Sequence, residues 1–177
     1  MKSYLESGNF TEIAEVDDIN SIHITQEVRD RCADNYCGFY GKNHMCPPAV
    51  GDLEHYRQVI KGYGKGLVFS KAYPVKSRYD YQSMVEAGVA FREEIQEINK
   101  LAKADQLDCL FFSAGTCSIC ESCAILTDEP CRFPEDAIPS LEAAGIDVVG
   151  LSRSLGMTYN NGADKVTYFG LVLYHAG

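Results

Sequence analysis

The fold is read from the stretch Leu107-Asp108-Cys109-Leu110-Phe111-Phe112-Ser113-Ala114-Gly115-Thr116-Cys117-Ser118-Ile119-Cys120-Glu121-Ser122-Cys123. Residues 107–113 are mostly apolar and the run is too short for a helix, which predicts a buried strand. Residues 113–116 then turn at the strand's carboxyl end into a cysteine-rich loop, the end at which ligands bind in α/β sheets. With Cys131, and Pro134 shortly after it, the loop spells C-x2-C-x2-C-x7-C. Such spacing lets one loop wrap a compact inorganic core, each thiolate reaching inward from a successive turn while the amides between them point at the same centre. Bacterial ferredoxins hold the irons of [4Fe-4S] clusters with a closely similar run whose last interval is shorter.

A second set lies upstream, Cys32-x4-Cys37-x8-Cys46, running into Pro47-Pro48. Segment 32–48 mixes the turn formers Asn35, Gly38, Gly41 and Asn43 with Tyr36, Phe39 and Tyr40. Such a loop seldom holds its shape unaided, and metal supplies the constraint. Thiolate sulfur suits iron-sulfur clusters, zinc and cuprous ions alike. Structural zinc sites group their ligands as two separated pairs. Here three cysteines are consecutive at equal spacing and no second pair follows, which favours a cluster on Cys117, Cys120, Cys123 and Cys131; zinc, a disulfide and free thiols are the alternatives. Cys32, Cys37 and Cys46 offer three ligands to a second cluster, whose fourth is Cys109, His44 or an open iron site. Cys109 reads first as a small apolar side chain in a strand, and His44 as a loop histidine bound to backbone or water. An open iron would present a Lewis acid or redox centre to a small ligand and turn a carrier into an enzyme. Arg132 and Lys42 stand where cations would offset cluster charge, against the plain reading of solvated basic side chains.

At 177 residues and 46% apolar, the chain is read as one domain, 1–177, with a real core and cysteine-rich loops at about 32–48 and 115–134. Eight clustered cysteines are too few for a disulfide miniprotein. The start Met1-Lys2-Ser3-Tyr4-Leu5-Glu6-Ser7 has no apolar leader and no run reaches a membrane span, so the expected compartment is a reducing cytoplasm. A net charge of −9 argues against nucleic acid and anionic membranes.

Along the chain, residues 1–10 read as loosely ordered and 11–16 as a first strand, with a further extended piece at 22–24. Thr25 caps a short helix that delivers Cys32 at its end. Asp52 caps a helix over 53–61 ended by Gly62, and 67–73 is a strand stopped by Pro74. Asp80, or Ser83 with Glu86 as a capping box, opens a long helix to 104 whose Met84, Gly88, Phe91, Ile95, Ile98 and Ala102 share one face. Glu86, Glu93, Glu94 and Glu97 read as its solvated side. A short helix at 140–144, a strand at 146–150, one more helical turn at 151–156 and a last strand at 165–174 complete an α/β or α+β fold, a single mixed sheet with flanking helices. Gly62-Tyr63-Gly64-Lys65-Gly66 lacks phosphate-loop spacing and precedes a strand instead of following one.

Three stretches together resemble a family of bacterial and archaeal proteins described only as predicted metal-binding, domain-of-unknown-function family 2284. They are Cys37-Gly38-Phe39-Tyr40-Gly41-Lys42-Asn43-His44-Met45-Cys46-Pro47-Pro48, the run from Cys117 to Cys131 with Arg132 and Pro134, and Pro139-Ser140-Leu141-Glu142-Ala143-Ala144-Gly145-Ile146-Asp147-Val148. This chain has His44-Met45 where an aromatic residue such as Trp is expected before the cysteine of the CPP triplet. The resemblance implies metal binding, by an iron-sulfur centre, with no assigned reaction. The expected protein carries one or two [4Fe-4S] clusters and passes single electrons to a redox partner. The alternatives are an enzyme that uses an incompletely ligated cluster on a small substrate, and a zinc-stabilised binding module.

Overall fold

Nine regular elements, apart from two short 3-10 turns, are found in the described residues, 1–175, of the computed structural model: helix α1 (Lys2–Ser7), strand β1 (Glu12–Val16), α2 (Gln26–Ala33), α3 (Leu53–Lys61), β2 (Lys65–Pro74), α4 (Tyr81–Ala104), β3 (Cys109–Phe112), α5 (Val148–Ser154) and β4 (Lys165–Tyr174). Local chemistry sets most of their boundaries. The Asp52 carboxylate accepts from the His55 amide and starts α3, whose buried Leu53, Tyr56 and Ile60 fall on one helical face before Gly62 ends it. In α4 the cap is Asp80, accepting from the Ser83 amide, so Ser83 lies inside the first turn. Its buried residues include Gly88, Phe91, Ile95, Ile98 and Ala102, the face that the spacing of three and four picks out. One residue of the charged side is not solvated: Glu94 pairs with Lys71 at 2.6 Å and both side chains are largely covered.

The sheet has the order β1-β2-β4-β3, and every neighbouring pair is antiparallel. The protein is therefore α+β, and the expected mixed sheet gives way to a purely antiparallel one. The reason lies in where β4 goes. Strands β2 and β3, joined by α4, run in the same direction, but β4 fills the gap between them and bonds to both, from Lys65↔Tyr174 to Pro74↔Lys165 on one side and from Cys109↔Tyr174 to Phe112↔Leu171 on the other. Both faces are covered, so β2 and β4 are apolar in near-continuous runs. On one face Val68, Phe112, Leu171 and Leu173 meet Tyr56, Ile60 and Leu151; on the other Leu67, Phe69, Phe111 and Val172 meet Leu5, Phe91, Ile95 and Ile98. Gly170 is required by this packing, because a Cβ there would stand 2.4 Å from the Phe69 ring.

Four expectations change. Residues 2–7 form a helix because Leu5 is wholly buried against α4 and Tyr4 donates to Asp105. Residues 22–24 follow a 3-10 turn capped by Asp18, and only Ile24 bridges, to Ile146. Residues 146–150 are not a strand: Asp147 accepts from the Gly150 amide and starts α5 immediately after that bridge. The short helix expected at 140–144 is a run of turns, with Ala144 and Gly145 amides bonded back to Ser140 and Glu142.

A candidate metal centre on two cysteine loops

The central loop leaves the sheet and returns to the same point. The Ser113 amide donates to the Pro139 carbonyl and the Leu141 amide to the Ser113 carbonyl, both at 2.9 Å, so the segment between them is clamped at its base beside the end of β3. Its first turn passes through Gly115 at φ +73°, where a Cβ would lie 3.0 Å from a guanidinium nitrogen of Arg92. Glycine is needed there for the left-handed backbone and for the close approach.

Cys117, Cys120, Cys123 and Cys131 line one pocket of about 20 Å³, each half-buried. The other loop supplies part of the same wall through Asn43, His44 and Met45. Asn43, itself buried, donates to the Cys117 carbonyl at 3.0 Å, and its side-chain oxygen accepts from the Met45 amide at 2.9 Å. The His44 amide donates to Cys123 Sγ at 3.4 Å. The ring Nε2 of His44 lies 2.9 Å from the Glu129 carbonyl, an acceptor, so that nitrogen carries the proton. His44 thus faces the central pocket and is tied to backbone, not directed at the upstream cysteines. Arg132 lines the pocket and donates to the Ser122 carbonyl at 2.9 Å.

The upstream cysteines come from different supports. Thr25 caps α2, and Arg29 in its middle donates to the Ala143 and Gly51 carbonyls, holding the helix that carries Cys32. Cys37 is exposed in the loop, while Cys46 is buried just before the cis Pro47–Pro48 bond. All three line a second, larger cavity of about 500 Å³ with Tyr36, Tyr40, Tyr159 and Tyr168. Cys46 Sγ lies 3.2 Å from the Thr116 hydroxyl. Thr116 lines this cavity and its neighbour Cys117 the other, so the two cysteine sets meet back to back across one peptide bond. Cys109 lines neither: it sits in β3 opposite Tyr174 and packs on the α4 side of the sheet.

Burial pushes the thiols of Cys117, Cys46 and Cys32 up from their ordinary range, opposed at Cys117 by the Ile119 amide, at Cys46 by Thr116 and at Cys32 by Arg29. A metal taken by these sulfurs therefore displaces protons. Among the described residues no group of three or more His, Cys, Asp or Glu side chains is drawn together as a single-ion site. The donor chemistry nevertheless fits a thiolate-bound centre, with four sulfurs around one pocket and three around the next.

Arg92 is the residue that sequence reasoning missed. It leaves α4, donates from Nε to Ser118 Oγ at 3.2 Å and reaches the Ala114 carbonyl at 3.5 Å. It makes no ion pair among the described residues, and burial holds its pKa down. The one signal available was a charged residue flanking Phe91 at the border of the apolar face. Lys42 is exposed and lines neither cavity.

The family model described as predicted metal-binding protein (DUF2284) matches residues 16–174, nearly the whole chain. The chain belongs to this family. Both cysteine sets of this DUF2284 protein fall inside the match, as do all four strands except the first residues of β1. Searches of curated proteins and of solved structures returned no match. No helix among the described residues is long and apolar enough to cross a membrane.

Proposed function

We propose that this DUF2284 protein is an iron-sulfur protein that holds a [4Fe-4S] cluster on Cys117, Cys120, Cys123 and Cys131 and offers three thiolates, Cys32, Cys37 and Cys46, to a second. The observation that carries this reading is the gathering of the four central cysteines around one pocket closed by the other cysteine loop. When bound, such a cluster supplies one-electron transfer, here to a redox partner protein. The chain's own residues hold the sulfurs and place donors on them. The Ile119 amide serves Cys117 and the His44 amide serves Cys123, and hydrogen bonds to cluster sulfurs tune the potential. The net charge of −9 suits a cytoplasmic carrier whose partner is a protein, not nucleic acid or an anionic membrane.

Protein purified without oxygen is expected to be brown, to absorb broadly on the order of 400 nm through iron-thiolate charge transfer, to bleach on reduction and to release acid-labile sulfide. Colourless protein with stoichiometric zinc would overturn this in favour of a zinc-stabilised binding module, marked by metal-dependent folding without redox activity.

The tyrosine-lined cavity beside Cys46 favours a second reading, an enzyme in which the three-cysteine centre leaves a position open to a small substrate. At about 500 Å³ the cavity lies within the usual range of small-molecule sites. Spectroscopy showing four protein ligands on every iron cluster counts against it.

A further inference from the structure

The cavity beside Cys32, Cys37 and Cys46 carries information about what it would hold. Three charged side chains line it, Arg31, Asp147 and Glu142. Arg31 lies largely in solvent and is paired with Glu27 at 2.8 Å, so its charge is already answered at the rim. Asp147 accepts from the Gly150 amide at 3.0 Å and is committed to capping α5. Glu142 has no cationic partner among the described residues. Its side chain is solvent-exposed, while the protein packed round the carboxyl raises its pKa, opposed by its own backbone amide and by the Ser140 hydroxyl. The Cys32 thiol sits 3.9 Å from the Glu142 backbone carbonyl, and both residues line the cavity.

Beyond the cysteines and the hydroxyls of Thr116, Ser140 and Thr167, the rest of the wall is mainly aromatic and aliphatic. Tyr159 is stacked on Phe169 with ring centroids 5.5 Å apart, and the Tyr168 hydroxyl is held by the Met84 carbonyl at 2.6 Å. These rings are fixed from outside the cavity and offer surface to an occupant. An aromatic wall with an unanswered carboxylate attracts an organic cation through ring quadrupole and charge together. An anion would meet Glu142, Asp147 and sulfur ligands with only the Arg31 charge, already paired, to receive it.

We propose that this cavity binds a small organic cation, an amine or quaternary ammonium with an apolar body, with Glu142 as its counter-charge and the tyrosines as its bed. The proposal rests on the second reading above in placing the cation beside the open position of the three-cysteine centre. The cation's body lies against the tyrosine wall, and its charged head points toward Glu142.

Benzyltrimethylammonium, benzyl alcohol and benzoate are suitable probes for titration calorimetry on the anaerobically purified protein, with iron measured on the same sample. The quaternary ammonium has no lone pair to give to iron, so its binding reports charge and aromatic contact alone. It is expected to bind at least tenfold more tightly than benzyl alcohol, with benzoate weakest, and Glu142→Gln is expected to bring the first two within about threefold. Equal binding of cation and alcohol, tighter binding of benzoate, or no binding at millimolar concentration overturns the proposal, and the wild-type comparison decides it even if the variant fails to fold. Iron content separates the two failures. Iron-loaded protein that prefers benzoate keeps the enzyme reading and loses the cation; colourless, iron-free protein that prefers benzyltrimethylammonium keeps the cation site and loses the cluster.

Discussion

Arg92 places a guanidinium with no ion-pair partner among the described residues under the first turn of the central cysteine loop, in contact with Ser118 and Ala114. A four-thiolate cluster gains negative charge on reduction, so a nearby cation stabilises the reduced form more than the oxidised one. Arg92→Gln is expected to keep the brown colour and to lower the midpoint potential by about 59 mV, a tenfold change for one electron; Arg92→Lys should recover part of the shift in a redox titration. Tyr56 allows a test that does not involve metal. Its buried phenol donates to the Val50 carbonyl at 2.9 Å and burial pushes its pKa up to about 12. An unfolded tyrosine ionises near pH 10. The raised value therefore contributes stability that is fully present below about pH 10 and is lost as pH climbs through about 12, on the order of 2 kcal/mol from this group. Tyr56→Phe should be less stable by about 1 kcal/mol at neutral pH but flatter between pH 9 and about 12, as read from urea unfolding midpoints.

At the scale of elements, α4 and the central loop matter most. Phe91 is wholly buried between α4 and the sheet, against Phe69 and Tyr168. Phe91→Ala should cost about 3–5 kcal/mol, seen as a lower denaturation midpoint with an unchanged slope. Gly115→Ala forces a side chain into the left-handed region and toward Arg92. A cost of about 1–2 kcal/mol is expected, with reduced iron content after anaerobic reconstitution, because the turn that aims Cys117 is displaced. Reconstitution to full iron in this variant would show that the turn is not what orients the ligand.

Across the whole molecule, two packed faces of the sheet form a core that includes none of the seven proposed ligands except Cys46 at its margin. Chelating the metal is thus expected to leave the far-UV signal of the sheet and α4 largely intact while making the loops at 34–45 and 118–132 sensitive to limited proteolysis; loss of all secondary structure would show that the metal holds the fold itself. Much of that fold was legible. Asp52 and Asp80, the spacing of Phe91 and Ile95, and the β-branched and aromatic run at 165–174 each fix an element through contacts within a turn or along one strand. Asp147 was misread because Ile146, Val148 and Val149 look like a strand until the carboxylate is seen capping α5. What sequence alone determined, then, was the local grammar of helices and strands and the two sets of sulfur, since capping, periodicity and spacing act between near neighbours. Tertiary structure decided the insertion of β4 between β2 and β3, the turning of His44 toward the central pocket, the reach of Arg92 and the cavity beside Cys46. Each of these depends on which distant segments come to share a surface, and no short-range pattern encodes that.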